Sequence, residues 1–298
     1  MKLFNKICVP AALTLAMAAA VSCSDNDDEN AGWTELIKVA TYNIQYDDQS
    51  VEAGKWDNRK DLMQKMLKDC DFDIFGVQEP YKSQIDDIVS WFPEYGWVGA
   101  SISGESETER VHYNPIFYRK DRFTVLDNGM FWYSETPDAV NSKGWDSYSV
   151  RMCNWVKFKD NRNEKIFFHF NSHFDHKGET ARLESAKLLV SKVKEIAADY
   201  PSFCTGDYNT DQTSAPYQII IMSDLMDSYS KAQYRSGDGV SSYNGYSQAT
   251  ATSSSSRIDH IFVSRGTKVY TWSLLCKSYD GKFASDHNPI VIQWSLHR

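Results

Sequence analysis

The feature that most restricts the fold is the density of strand-like runs: roughly ten of them alternate with only a few helical stretches. Leu36 to Tyr42, Asp73 to Val77, Tyr95 to Ala100, Pro115 to Arg119, Arg122 to Asp127, Met152 to Lys159 and Lys165 to Ser172 read as strands, several parted by Gly, Asn and Asp turn signals. Ser202 to Gly206, Arg257 to Val263, Val269 to Leu275 and Pro289 to Trp294 complete the set. A helix is expected from about Asp57, an N-cap candidate, through Leu62 and Met66 to Cys70. Ile85, Ile88, Val89 and Phe92 fall on one face of a second helix. Leu183, Ala186, Val190, Val193 and Ala197 mark the buried stripe of a third, which Pro201 stops. No repeat or long linker interrupts residues 34–298, so they read as one domain. The pattern is too strand-dense for a doubly wound sheet and predicts an α/β or α+β sandwich.

The first 22 residues stand apart from that fold. Lys2 and Lys6 form a positive n-region, and Val9 to Val21 is apolar apart from Thr14, the layout of a secretory signal. At about 13 residues the run is too short to span a bilayer, which needs about 20. Ala20-Val21-Ser22-Cys23 resembles the lipobox of bacterial lipoproteins, which implies cleavage before Cys23 and lipidation of that residue. Ordinary signal cleavage, with Cys23 a bystander, is the alternative. Residues 23–33 are polar and acidic and read as a solvated tether; an acidic run in that place also resembles the surface-export signal of some Gram-negative lipoproteins. The expected location is the cell envelope outside the cytoplasm, with the membrane reached only through the Cys23 lipid and no obligate protein partner implied.

Lys plus Arg number 32 against 40 for Asp plus Glu, a net charge of −8, and the signal removes two lysines and no acid. That balance argues against broad electrostatic adhesion to duplex nucleic acid or anionic lipid. Aromatic residues make up 14% of the chain, more than a minimal core requires, so some rings are expected at a ligand cleft or a loop surface. Cys70, Cys153, Cys204 and Cys276 lack any metal-finger spacing; Cys153 and Cys204 read as small buried apolar residues, and a disulfide is permitted but not demanded.

Polar and ionisable residues recur where apolar strands end, where a rigid sheet can aim side chains into one cleft. Tyr42-Asn43-Ile44-Gln45 finishes a strand on an amide, and Gly76-Val77-Gln78-Glu79-Pro80 puts a carboxylate after a buried strand, well suited to a hard cation. In Asn171-Ser172-His173-Phe174-Asp175-His176, a period of two sends Asn171, His173 and Asp175 to one side and His176 away to the surface. His169, deeper in that strand, reads as a core histidine. In Thr205-Gly206-Asp207-Tyr208-Asn209, Asp207 and Asn209 share a side, and Gly206 is expected to let a ligand approach the backbone. Arg257 to Val263 presents Asp259, with His260 an ordinary strand histidine, and Ser285-Asp286-His287-Asn288-Pro289 is a polar knot before the last strand. Together these fit a carboxylate-rich Mg²⁺ site, centred on Glu79 and Asp286, with two imidazoles beside it.

The ordered blocks TYNI, GVQEP, NSHFD, TGDYN, RIDHIFVS and SDHNP, from about Val39 to the C-terminus, resemble the endonuclease/exonuclease/phosphatase superfamily. The resemblance implies a four-layered α/β/β/α sandwich of two packed mixed β-sheets flanked by helices, with the site at one rim. It implies Glu79 as the principal Mg²⁺ ligand, supported by Asn43, with Asp286 near the same ion; Mn²⁺ is the alternative cation. The resemblance further implies that Asp207 orients or deprotonates the attacking water, that Asn209 donates to the phosphate, that His173 and His287 stabilise developing charge, and that Asp259 holds the tautomer of His287. Whether Asp207 or a histidine is the base stays open. Abasic-site nucleases carry an acid where this chain has Gln45, so a second acidic metal contact is lacking there. The blocks Asn114 to Arg119 and Gly144 to Asp146 also look like those of secreted bacterial members. Gly144 to Arg151 is expected as a loop near the cleft, with Arg151 either contacting a phosphate or forming a surface salt bridge.

The expected activity is Mg²⁺-dependent hydrolysis of a phosphate ester by in-line water attack, on a small phosphorylated molecule such as a sugar phosphate, inositol phosphate or lipid head group. An extracellular nuclease acting on nucleic acid is the alternative, and a non-catalytic glycan- or partner-binding lipoprotein is a more distant one.

Overall fold

A computed structural model describes residues 36–104 and 110–296. The signal segment, Cys23 and the acidic tether lie outside the described residues. The strands are β1 (Ile37–Asn43), β2 (Ile74–Gln78), β3 (Tyr95–Val98), β4 (Ile116–Arg119), β5 (Phe123–Trp132), β6 (Met152–Asp160), β7 (Ile166–His173), β8 (Ser202–Asp207), β9 (Leu225–Asp227), β10 (Tyr234–Ser236), β11 (Asp259–Ser264), β12 (Lys268–Leu274) and β13 (Ile290–Ser295). The longer helices are α1 (Trp56–Cys70), α2 (Lys82–Trp91), α3 (Glu179–Ala197) and α4 (Ala215–Ile221).

Two mixed sheets result. One has seven strands in the order β10-β12-β13-β1-β2-β4-β3, the other six in the order β5-β6-β7-β8-β11-β9. β1 runs parallel to β2 and β7 parallel to β8, whereas most other neighbours are antiparallel. Strand alternation decides the layers. Ile37 and Val39 of β1, Phe167 of β7, Phe203 of β8 and Ile261 of β11 point into one core between the sheets, closed by Trp294. The opposite faces carry their own apolar sets. Ala40, Tyr42 and Phe75 pack under Met63 and Leu67 of α1 and Ile85 of α2, while Phe168, Phe170 and Phe262 pack under Ala186, Leu189 and Val193 of α3. The sandwich is of the class the strand density predicts, and its α/β/β/α layering is the one the motif resemblance implies.

Several local expectations are corrected. α1 begins at Trp56, not at a cap on Asp57: the Trp56 N–H is accepted by Asp47 Oδ1 at 2.8 Å, and Asp57 instead pairs with Lys60 inside the first turn. The stripe of α3 runs through Ala181, Ser185, Ala186, Leu189, Val193 and Ala197, leaving Leu183 and Val190 half-buried. β9 and β10, three residues each, are too short to show an alternation and were not anticipated. Cys70, Cys153 and Cys204 are buried free thiols, and Cys276 is free and half-buried. No described helix is long and apolar enough to cross a membrane.

Candidate active site

The side chains that point between the sheets change character along each strand. Ile37, Val39, Thr41 and Asn43 succeed one another on β1; Phe167, His169, Asn171 and His173 on β7; Phe203, Thr205 and Asp207 on β8; and Val263, Ile261 and Asp259, read in reverse, on the antiparallel β11. Each series is hydrocarbon at one end of the sandwich and polar at the other. Strand register then brings the polar ends together: His173 and Asp259 both stand opposite Asp207, and Asn43 stands opposite Gln78, beside Glu79.

The resulting contacts are close. Asn43 Nδ2 donates to Glu79 Oε1 and to Asp207 Oδ2, both at 3.0 Å. The Gln45 N–H donates to Asn43 Oδ1 at 2.9 Å, so the amide turns its donor side to the two carboxylates and relieves their repulsion. His173 Nε2 lies 3.7 Å from Glu79 and 3.6 Å from Asp207, and His287 Nε2 lies 3.8 Å from Asp207. His287 Nδ1 meets Asp259 Oδ2 at 2.8 Å. The Asn209 N–H donates to Asp207 Oδ1 at 2.9 Å, and its side-chain amide donates to the Phe174 carbonyl at 3.0 Å. Glu79 and Asn209 hold φ values of 73° and 48°, a left-handed backbone that costs energy for a glutamate and that the packing around it sustains.

Electrostatics divides these groups into roles. Burial, then the nearby Asp259 carboxylate, push the Asp207 carboxyl up to about 7, against the pull of His287. Burial opposes a charge on His287, but Asp259 and then Asp207 overcome it and raise its affinity for a proton well above the usual histidine range. His173 goes the other way: burial, and then the Arg151 guanidinium, keep it neutral. Burial and the Glu79 carboxylate push Asp286 up to about 6.

Two groups of donor atoms could hold a cation, their atoms lying within 4.8 Å of one another: Glu79, His173 and Asp207, and Asp207, Asp259 and His287. Asp286 faces the same cleft outside both groups. Asp259 Oδ1 is buried with no hydrogen-bond partner. A donor set rich in carboxylate oxygen suits a hard divalent cation, so the residues present fit such an ion.

The cleft holds about 690 Å³, within the usual range for a small-molecule site. Of the expected loop, Tyr148 to Arg151 border it, and Arg151, 8% exposed, sets Nη1 2.9 Å from His173 Nδ1 and Nη2 3.0 Å from His176 Nδ1. His176 is exposed but lines the cleft, contrary to the alternation argument, because β7 ends at His173 and the chain then turns. Asp175, expected on the same side as His173, is instead buried against Ser149 N–H, Gly178 N–H and Arg151 Nε. Gly206 serves packing rather than ligand access: a Cβ there would press on the Ser172 carbonyl at 2.6 Å and on the Tyr208 ring. Gln45 Oε1 accepts from the Tyr246 hydroxyl. His169 donates to or accepts from Thr205 Oγ1 at 2.7 Å, and His260 meets the Thr210 carbonyl on the helix-facing side of β11, so both belong to the interior. Sequence reasoning missed His112, Tyr46, Tyr81 and Tyr243, which line the cleft from connections that carry no strand periodicity.

A family model described as Endonuclease/Exonuclease/phosphatase family matches residues 40–287. An uncharacterized protein of Acanthamoeba polyphaga mimivirus is 29% identical over 259 residues, 80% of this chain and 91% of that protein. Among solved structures, the endonuclease/exonuclease/phosphatase from Bacteroides vulgatus superposes with a TM-score of 0.82 at 36% identity, covering 88% of this chain and 99% of that one. A mannosyl-6-phosphatase from Bacteroides thetaiotaomicron VPI-5482 gives a TM-score of 0.80, also at 36% identity, over 87% of this chain and 99% of its own. With that coverage, and with the strand-end constellation described above, the chain belongs to the endonuclease/exonuclease/phosphatase family of phosphoester hydrolases.

Proposed function

We propose that this chain is a Mg²⁺-dependent phosphatase of a small phosphorylated molecule, with a sugar phosphate ahead of an inositol phosphate or lipid head group, held at the cell envelope by a lipid on Cys23. The observation that carries the reading is the convergence of Glu79, Asp207, Asp286, His173 and His287 on one cleft of small-molecule size. Its likeness at 36% identity to a mannosyl-6-phosphatase supports the sugar phosphate.

Glu79, oriented by Asn43, would hold a Mg²⁺ ion in the cleft that Asp286 also faces, and the ion when bound would neutralise charge on a phosphate oxygen. Asp207, with a proton affinity matched to neutral pH, takes the proton of the attacking water, and the Asn209 N–H keeps the carboxylate aimed. His287, charged and held at Nδ1 by Asp259, presents Nε2–H to the developing negative charge. Neutral His173 and the Arg151 guanidinium complete the clamp on the phosphoryl oxygens, and Asn209 adds its remaining amide N–H.

The test is a panel of phosphomonoesters, phosphodiesters, nucleic acids and sphingomyelin, assayed with Mg²⁺ and with chelator. Mg²⁺-dependent release of phosphate from sugar monophosphates is expected. Glu79→Ala and Asp207→Ala should each lose on the order of 10² to 10³ in kcat while keeping the wild-type circular dichroism. Equal turnover by Glu79→Ala, or preferred cleavage of a polymer with a steep loss of rate in salt, overturns the reading.

A further inference from the structure

The cleft carries three rings that the proposed hydrolysis leaves unused. Tyr46, Tyr81 and His112 line it, each half-buried, on the segments that follow β1, follow β2 and precede β4. Tyr46 and His112 stack with centroids 4.9 Å apart at 29°, and Tyr81 packs 5.6 Å from each. Tyr46 follows Asn43 by three residues and Tyr81 follows Glu79 by two, so the rings begin where the acidic constellation stops. Burial, then the Asp48 and Glu79 carboxylates, keep the Tyr46 phenol protonated, and burial keeps His112 neutral. The set is therefore an uncharged, prepacked surface with a hydroxyl donor, and a ligand meeting it loses little to the ordering of side chains.

We propose that Tyr46, Tyr81 and His112 form the leaving-group subsite and take the pyranose ring of a sugar monophosphate. The proposal rests on the phosphatase reading and adds to it what sits beyond the phosphate. A pyranose presents C–H groups on its faces and hydroxyls at its rim, which match aromatic faces and a phenol respectively. A nucleobase would also stack on such rings. A nucleic acid strand, however, brings further phosphates on either side, and among the described residues lining the cleft the permanent cations are Arg110 and Arg151, set against Glu79, Asp207 and Asp286. A strand finds too few partners there, whereas a single terminal phosphate needs no more.

The experiment compares mannose 6-phosphate with glycerol 3-phosphate, a ringless monoester of the same alcohol class, and with a dinucleotide, using the Mg²⁺-loaded protein. In Tyr46→Ala and in His112→Ala the ratio of kcat/KM for mannose 6-phosphate over glycerol 3-phosphate should fall about tenfold or more, carried mainly by KM for the hexose. Tyr46→Phe should keep most of the ratio. Tyr46→Leu, which fills similar space without a ring, should lose it, and so guards against a loss caused by collapse of the loop. An unchanged ratio in the ring variants overturns the proposal, as does a wild type that favours the dinucleotide or prefers neither monoester over the other. A wild type that hydrolyses neither monoester instead sinks the phosphatase reading beneath it.

Discussion

Asp175 serves the cleft without entering it. Its oxygens accept from the N–H groups of Ser149 at 3.0 Å, Lys177 at 2.9 Å and Gly178 at 2.7 Å, and Oδ2 lies 3.5 Å from Arg151 Nε. Against the penalty of burial, these bonds hold its carboxyl well below the usual carboxylate range. A folded carboxyl more acidic than the unfolded one, near 3.9, stabilises fully above that value, and the contribution is lost as pH falls through the folded pKa. Asp175→Asn should therefore lower the unfolding free energy at neutral pH, and its gap from wild type should close as urea melts are taken below about pH 4. A gap indifferent to acid would assign the loss to packing alone. At this scale the sequence was legible wherever a strand ran through the residue in question. Asn43, His173, Asp207 and Asp259 could be grouped because each ends or begins an apolar strand and falls in a motif of the resemblance, whereas Asp175, His176 and His112 depend on turns whose direction no periodicity records.

Among elements, α1 ties together the connections that follow Asn43 and precede Asp286. Arg59, 1% exposed, donates to the carbonyls of Gly54, Ile44, Gln45, Tyr46 and Ala284, with N···O distances from 2.6 to 3.0 Å, and its guanidinium lies 4.9 Å from the Trp56 ring centre. One side chain thus joins the segment after Asn43 to the segment before Asp286. Arg59→Met leaves several buried carbonyls without a donor and should cost at least about 2 kcal/mol in chemical denaturation. If the guanidinium also positions the site, calorimetry should show weaker Mg²⁺ binding in Arg59→Met at a temperature where the variant is fully folded. Unaltered affinity would restrict Arg59 to stability. None of this is visible in the chain, since five carbonyls cannot be predicted from an arginine in a helix. The start of α1 escaped for a related reason, its cap coming from Asp47, nine residues upstream, and not from a neighbour.

For the molecule as a whole, the two sheets approach closely where Gly76 of β2 faces Asn171 of β7 and Thr205 of β8. A Cβ at Gly76 would overlap Thr205 Oγ1 and the Asn171 amide. Asn171 Nδ2 donates to the carbonyls of Val77 and Pro115, and its Oδ1 accepts from Gln78 and Thr205, so a polar staple holds the sheets together beneath the site. Gly76→Ala forces that staple apart and should destabilise by about 1 to 3 kcal/mol, with a fall in kcat for the best monoester that exceeds the change in KM. Thermal melts and steady-state kinetics measure both. The layered architecture could be read from strand density and from the resemblance of the motifs. The pairing order could not, because β1 sits between β2 and β13, partners brought together from opposite ends of the chain. The oily-to-polar progression along the inward faces carries a consequence for how such a protein diversifies. Asn43, His173, Asp207 and Asp259 are locked to hydrogen-bond register and cannot move without unmaking the sandwich, while the rings at the mouth sit on the connections between strands. Exchange of the ring side chains alone leaves that strand-borne set in place.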